Sequence, residues 1–82
     1  MGNKLRMSYD KEGDVLDVTL GEPNPAISEE VENDFFVRRH PVSGEIIGFS
    51  MLNFEKWFKE VQEYKTLPLE GQFFEHVQRE ED

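Results

Sequence analysis

The chain has 82 residues with a formal net charge of −9, and it contains no cysteine. A disulfide framework and a thiolate zinc site are therefore excluded. No apolar run approaches the about 20 residues that a membrane-spanning helix needs, and residues 1–6 lack the apolar core of a signal peptide. We expect one cytoplasmic domain with a small core.

The negative charge is unevenly distributed. Residues 22–34 contain five acidic residues and no basic one, and residues 66–82 contain five acidic residues and a single arginine. An acidic surface repels phosphate, so direct nucleic-acid binding is not expected. The same surface suits a basic protein partner through steering and complementarity. The alternative is that these charges only keep a small protein soluble.

Two runs near the N-terminus alternate between apolar and polar residues, which predicts two half-buried strands. Their apolar positions are Leu5, Met7, Tyr9, Leu16, Val18 and Leu20. Between the runs, residues 10–14 supply turn chemistry, with Gly13 available for a positive φ. The pattern predicts an antiparallel hairpin.

The acidic stretch that follows leaves two conformations open. Two prolines in residues 21–25 argue against a central strand. In residues 26–34 the only large apolar side chains are Ile27 and Val31, which are four positions apart. That spacing fits one helical turn, and an extended acidic edge fits equally well.

Two further strands are predicted downstream. One begins at Phe35 and runs toward His40, and residues 41–44 form a turn. The other strand, residues 45–51, is apolar on both sides, which favours a central position in the sheet. We expect a helix to cover one of its faces, and a partner subunit is a candidate to cover the other. Gly48 inside this strand indicates a bulge or a close backbone approach.

The next segment has the pattern of an amphipathic helix. Asn53 is a suitable N-cap, and the residues Phe54, Trp57, Phe58 and Val61 have the spacing i, i+3, i+4 and i+7. We expect the helix to end before Pro68. The predicted fold is therefore α+β: a small antiparallel four-stranded meander with a C-terminal amphipathic helix packed on one face. Residues 1–65 form the domain, and residues 66–82 an acidic tail with a short helix as one option.

Four segments follow one another in a recognisable order. They are Tyr9–Asp10, Asp14–Val15–Leu16–Asp17–Val18, Ser28–Glu29–Glu30–Val31 and Gly44–Glu45–Ile46–Ile47–Gly48–Phe49–Ser50–Met51–Leu52–Asn53–Phe54. This order resembles a family of small prokaryotic proteins of unknown function called YuzE-like. The resemblance covers residues 4–54 and implies a meander with a helix. It also implies an antitoxin-type role, since some members of the family appear together with toxin-like partners. Asp17 replaces a usual tyrosine, and Ser50 a frequent glutamate.

No residue is assigned to catalysis, a cofactor or a metal. The acidic residues Asp10, Glu12, Asp14 and Asp17 lack the glycine and glutamate spacing of a calcium loop. His40 and His76 lie in different segments, so we expect surface or structural roles for them. No serine stands in a nucleophile elbow, and there is no glycine-rich phosphate loop.

The basic cluster Arg38–Arg39–His40 has two interpretations. With Phe35 and Phe36 as stacking faces it fits a nucleic-acid surface. The favoured interpretation is that these basic residues balance the acidic segment before them, given the net charge of −9.

The sequence therefore predicts a protein–protein interaction module, with an antitoxin-like role implied by the resemblance. The candidate partner-binding residues are Glu29, Glu30, Glu32, Phe73 and Phe74, and the expected partner is a basic protein. One alternative is a structural homodimer whose strands pair or whose apolar second sheet face is shared. Another is a small-molecule or metal-binding protein that uses the turn between Asp10 and Asp17.

Overall fold

A computed structural model describes residues 4–22, 24–59 and 64–75. Its strands are β1 (Leu5–Asp10), β2 (Val15–Leu20), β3 (Ile27–Glu32), β4 (Phe35–Arg39) and β5 (Ile46–Leu52). They form one antiparallel sheet in the order β1-β2-β5-β4-β3. The chain crosses from β2 to the far edge and returns through two hairpins, which is a Greek-key arrangement.

The predicted α+β fold with four strands and an amphipathic helix is wrong. The structure is mostly sheet, with five strands, and the expected helix is replaced by a 3₁₀ helix of five residues, Phe54–Phe58. The strand order also differs from a meander, because β5 lies between β2 and β4.

The additional strand, β3, lies in the acidic segment. Of the two conformations left open for this segment, the structure therefore shows the extended edge. Among the described strands, β3 pairs with β4 alone, through a tight hairpin in which Asp34 has a φ of 65°. All six residues of β3 are exposed. An edge position leaves its glutamates in water, so the strand forms without the cost of burying charge.

The first hairpin is confirmed, with Tyr9 facing Leu16 and Met7 facing Val18. The carboxylate of Asp10 accepts the N–H groups of Glu12 and Gly13 at 3.1 and 3.3 Å. The positive φ of this turn belongs to Asp14, at 58°, and not to Gly13.

The first N–H groups of the 3₁₀ helix are bound by a residue that is distant in sequence, Asp14. The N–H of Phe54 donates to the carbonyl of Asp14 at 3.0 Å, and the N–H of Glu55 donates to both Asp14 carboxylate oxygens at 3.1 Å. Asn53 is in the left-handed region, with a φ of 53°, and its side chain makes no cap hydrogen bond. Asn53 therefore occupies the N-cap position as predicted, but the helix N-terminus is capped by the Asp14 carboxylate and not by the Asn53 side chain.

The spacing of the aromatic side chains suits the tighter helix. Residues three apart share one side of a 3₁₀ helix, and Phe54 and Trp57 both pack against the core. The indole Nε1 of Trp57 donates to the carbonyl of Leu52 at 3.0 Å, which holds the segment against β5. Phe58 remains 40% exposed, and Val61 lies outside the described residues.

The core lies on one face of the sheet. Its buried residues are Val18, Phe35, Val37 and Met51. Six partly buried side chains pack against the cluster of Phe35, Val37 and Met51, and they are Leu16, Phe49, Phe54, Trp57, Leu67 and Leu69. Leu67 and Leu69 belong to the segment assigned to the tail, so this part of the tail contributes to the core. Residues 64–75 contain no helix.

The prediction for Gly48 is confirmed. The pairing of β4 with β5 shifts register between Arg38 and Arg39, beside Gly48. A Cβ on Gly48 would lie 2.7 Å from the carbonyl oxygen of Val18. The close approach of β2 and β5 therefore requires glycine here.

Candidate functional site

A row of polar side chains crosses the centre of the second face, which is the side of the sheet opposite the core. Asp17 on β2 and Ser50 on β5 are cross-strand partners, and the Ser50 hydroxyl donates to the Asp17 carboxylate. Nη2 of Arg38 on β4 donates to Oδ1 of Asp17 at 2.6 Å and to Oγ of Ser50 at 3.1 Å. The expectation of an apolar second face is therefore wrong at its centre.

A shallow depression of about 260 Å³ adjoins this polar row. Its lining residues are Arg6, Met7, Ser8, Asp17, Thr19 and Arg38. Arg6 pairs with Glu22 at 3.2 Å and Arg38 pairs with Asp17. Each arginine already has a carboxylate partner, so the depression offers little unpaired charge to a ligand. The polar row of Asp17, Ser50 and Arg38 instead links three strands of the sheet, and we call it the brace.

The aspartates between residues 10 and 17, which were the candidate metal ligands, have separate hydrogen-bond partners. Asp10 binds backbone N–H groups, Asp14 accepts the Tyr9 hydroxyl at 2.6 Å, and Asp17 is held by Arg38. Within residues 4–22, 24–59 and 64–75, no group of three or more acidic or histidine residues is placed to hold a metal ion. The turn is organised by its own hydrogen bonds.

The environment of the Tyr9 hydroxyl raises the pKa of this side chain. The hydrogen bond that its hydroxyl donates to Asp14 stabilises the neutral phenol, and desolvation and the negative charges of Asp14, Glu55 and Asp10 act in the same direction. Together they raise the pKa of Tyr9 from 10.0 to about 12.

One residue of the basic cluster, Arg39, pairs with the acidic segment as the favoured interpretation predicts, whereas Arg38 pairs with Asp17 on β2 and His40 contacts its own turn. Nε of Arg39 lies 2.9 Å from the Glu29 carboxylate, within the acidic segment. Nδ1 of His40 accepts the N–H groups of Val42 and Ser43 at 3.1 and 3.2 Å. The structural role expected of His40 is confirmed, and His76 lies outside the described residues.

The structure places the predicted acidic partner-binding residues together on one outer strand. Glu29, Glu30 and Glu32 are exposed on β3. Glu29 pairs with Arg39, and Oε2 of Glu30 accepts the Asp34 N–H at 3.2 Å. A register shift between Glu30 and Glu32 makes the strand irregular.

The predicted aromatic partner-binding residues lie on a different segment. Phe73 and Phe74 are 84% and 85% exposed. Among the hydrogen bonds and ring contacts of the described residues, none joins them to β3. The sequence prediction therefore identifies two exposed features whose association the structure does not show.

Sequence reasoning missed one exposed surface, on β1. Leu5, Met7 and Tyr9 are 51%, 71% and 42% exposed, although their alternation predicts a half-buried face. Alternation shows that a strand has an apolar face, and it does not show whether anything covers that face. β1 is the outer strand at the end of the sheet opposite β3.

Comparison with protein-family models, curated proteins and solved structures gave no match. The resemblance to YuzE-like proteins therefore stays a prediction. In the part of the chain that the structure describes, no helix has the length and apolar character needed to cross a membrane.

Proposed function

We propose that the protein is an acidic interaction module that binds a basic protein segment along β3. The observation that carries the proposal is an outer strand with three exposed glutamates, Glu29, Glu30 and Glu32, in a chain of net charge −9. An outer strand offers unpaired main-chain groups, and an extended peptide can add to it as a further strand.

The negative charge and the irregular pairing of β3 favour a positively charged partner over the β3 strand of a second copy. Glutamates and a register shift are features that oppose pairing between like edges. Like charges directly opposite each other destabilise a strand pair, whereas opposite charges stabilise it by about 0.2–1 kcal/mol for each pair. A segment in which lysine or arginine alternates with apolar residues fits these requirements.

The exposed phenylalanines supply a second contact in this proposal. Leu67 and Leu69 pack against the core, and Phe73 and Phe74 follow with most of their surface in solvent. Aromatic side chains, phenylalanine included, are enriched at protein–protein interfaces. The antitoxin-type role that the resemblance implies, and a cytoplasmic location, are consistent with this proposal and remain part of it.

The test is a titration of isotope-labelled protein with an extended peptide of about ten residues in which lysine and valine alternate, a pattern with a two-residue period that presents one charged face. We expect amide resonances of β3 and its neighbour β4 to shift, with weaker binding at higher salt. The control peptide keeps the lysines and replaces each valine with proline, which has no N–H to donate.

Strong binding of the valine peptide and weak binding of the proline peptide support strand addition at β3. Equal binding of both peptides would mean that charge alone attracts them, and shifts confined to β1 would place the site on the wrong edge. Either result would overturn the proposal.

A further inference from the structure

The free edge of β1 differs from that of β3 in regularity and composition. Its pairing with β2 runs without a register shift from Leu5 facing Leu20 to Asp10 facing Val15. Leu5, Met7 and Tyr9 are exposed on this strand, and Leu20 beside them is 40% exposed. A regular outer strand with exposed apolar side chains readily pairs with another strand.

One backbone hydrogen bond fixes which main-chain groups face the free edge. The N–H of Gly21 donates to the carbonyl of Lys4 at 2.8 Å, so the main chain of Lys4 is directed toward β2. In an antiparallel pair this direction alternates along the strand. The main-chain groups of Leu5, Met7 and Tyr9 therefore point away from β2 and toward the free edge.

We propose that β1 pairs with β1 of a second copy, antiparallel, with Met7 facing Met7 on the twofold axis. In this register Leu5 faces Tyr9 of the second copy, and the reverse pair follows by symmetry. All three outward-directed residues then meet outward-directed residues, and about six main-chain hydrogen bonds form, two for each facing pair. The apolar side chains of both copies lie on the same face.

Charge supports this register over its neighbours. It places Lys4 opposite Asp10 of the second copy, twice by symmetry, and opposite charges across a strand pair are stabilising. A shift of two residues in one direction puts Arg6 opposite Arg6. A shift of two in the other direction puts Leu5 opposite Lys11. Shifts by one residue exchange the two faces of the strand, and apolar side chains would then face polar ones.

The pairing would leave the proposed partner site free. β1 and β3 are the two ends of the sheet, so joining two β1 strands builds one continuous sheet with a β3 strand at each end. A dimer of this form presents two acidic edges. The inference itself depends only on β1 and would stand if β3 bound nothing.

Cysteine cross-linking tests the register, because the natural chain has no cysteine. Met7→Cys places two thiols on the axis, where facing Cα atoms are about 5.5 Å apart, within the range of a disulfide. Ser8→Cys is the register control, since its two Cα atoms would be diagonal neighbours about 7–8 Å apart. Val42→Cys controls for random oxidation, because Val42 is 88% exposed in a distant turn.

We expect Met7→Cys to cross-link about tenfold faster than Val42→Cys at micromolar protein, because pairing raises the effective thiol concentration. Ser8→Cys should cross-link slowly. Equal rates for Met7→Cys and Val42→Cys would overturn the pairing, and a fastest rate for Ser8→Cys would overturn the register.

Light scattering of the natural chain gives an independent readout. We expect a dimer that Met7→Lys converts to a monomer with its sheet signal retained, because Met7 is 71% exposed and two lysines on the axis repel each other. A natural chain that stays monomeric across micromolar concentrations would overturn the inference, including the case in which another segment of the same chain covers this edge.

Discussion

Arg38 on β4 and Asp17 on β2 form an ion pair although β5 lies between their strands. The residue on β5 that faces Arg38 is Gly48, which has no side chain. Ser50 lies on β5 and contacts both charged groups. This arrangement ties β2 to β4 and β5, which come much later in the sequence, so it stabilises the non-consecutive pairing of β2 with β5 in the Greek key.

The first prediction concerns the energy of that ion pair. In a double-mutant cycle with Asp17→Asn and Arg38→Gln, we expect a coupling free energy of about 1 kcal/mol, because the side chains are 29% and 32% exposed. Urea unfolding provides the measurement. The control pair, Arg6 and Glu22, is 54% and 88% exposed and should couple by about 0–0.5 kcal/mol. Equal coupling in both pairs would contradict the brace.

The second prediction concerns Gly48, which faces Arg38 on the neighbouring strand. Gly48→Ala should lower the free energy of unfolding by about 1–3 kcal/mol, because the added methyl group meets a backbone carbonyl that must move. Gly71→Ala is the matched control, since a Cβ there meets no described atom within 4 Å. Thermal unfolding of both variants is the measurement, and a similar small change in each would argue against close packing at Gly48.

The third prediction concerns the titration of Tyr9. In a Tyr64→Phe background, the phenolate absorbance of Tyr9 should titrate near its raised pKa of about 12. Asp14→Asn should lower this pKa, because it removes the carboxylate that accepts the hydroxyl proton. A midpoint that is the same with and without the Asp14 carboxylate would show that the hydrogen bond does not form in solution.

The same shift has a consequence for stability. The pKa of Tyr9 is higher in the folded chain than its ordinary value of 10.0, so the folded state retains the proton more strongly. The resulting stabilisation is fully present below pH 10 and is lost as the pH rises toward about 12. Tyr9→Phe should remove this part of the pH dependence in urea unfolding measured across that range.

The fourth prediction separates the core part of the tail from its exposed part. A chain that ends at Glu70 keeps Leu67 and Leu69 on the core and should unfold at nearly the natural urea concentration. A chain that ends at Lys65 loses both leucines, and we expect a loss of about 2–3 kcal/mol from the apolar area exposed. Equal stability of the two truncated chains would show that the leucines contribute little.

Local pattern predicted the parts of the fold that local chemistry determines. The first hairpin and the turn at residues 41–44 follow from alternation and from residues that favour turns. The five-residue 3₁₀ helix could not be predicted, because i, i+3 spacing is common to 3₁₀ and α-helices. Its first N–H groups are bound by Asp14, which is 41 residues from Glu55 in sequence.

The candidate sites also divide into features that local sequence predicts and features that depend on the strand order. Exposure of β3 follows from its three glutamates, whereas exposure of β1 depends on which strands occupy the ends of the sheet. Asp17 and Ser50 are cross-strand partners, although they are 33 residues apart in sequence. Their contact depends on the pairing of β2 with β5, which no local sequence pattern predicts.

The most direct test of the proposed function compares two triple variants that change the net charge equally. The first carries E29Q, E30Q and E32Q on β3, and the second carries E12Q, E45Q and E55Q at exposed positions elsewhere. Calorimetry with the lysine–valine peptide measures the affinity of each. We expect the β3 variant to bind about tenfold more weakly, a change of about 1.4 kcal/mol, and the affinity of the second variant to stay close to that of the natural chain. Equal weakening in both would show that net charge, and not the β3 edge, attracts the peptide.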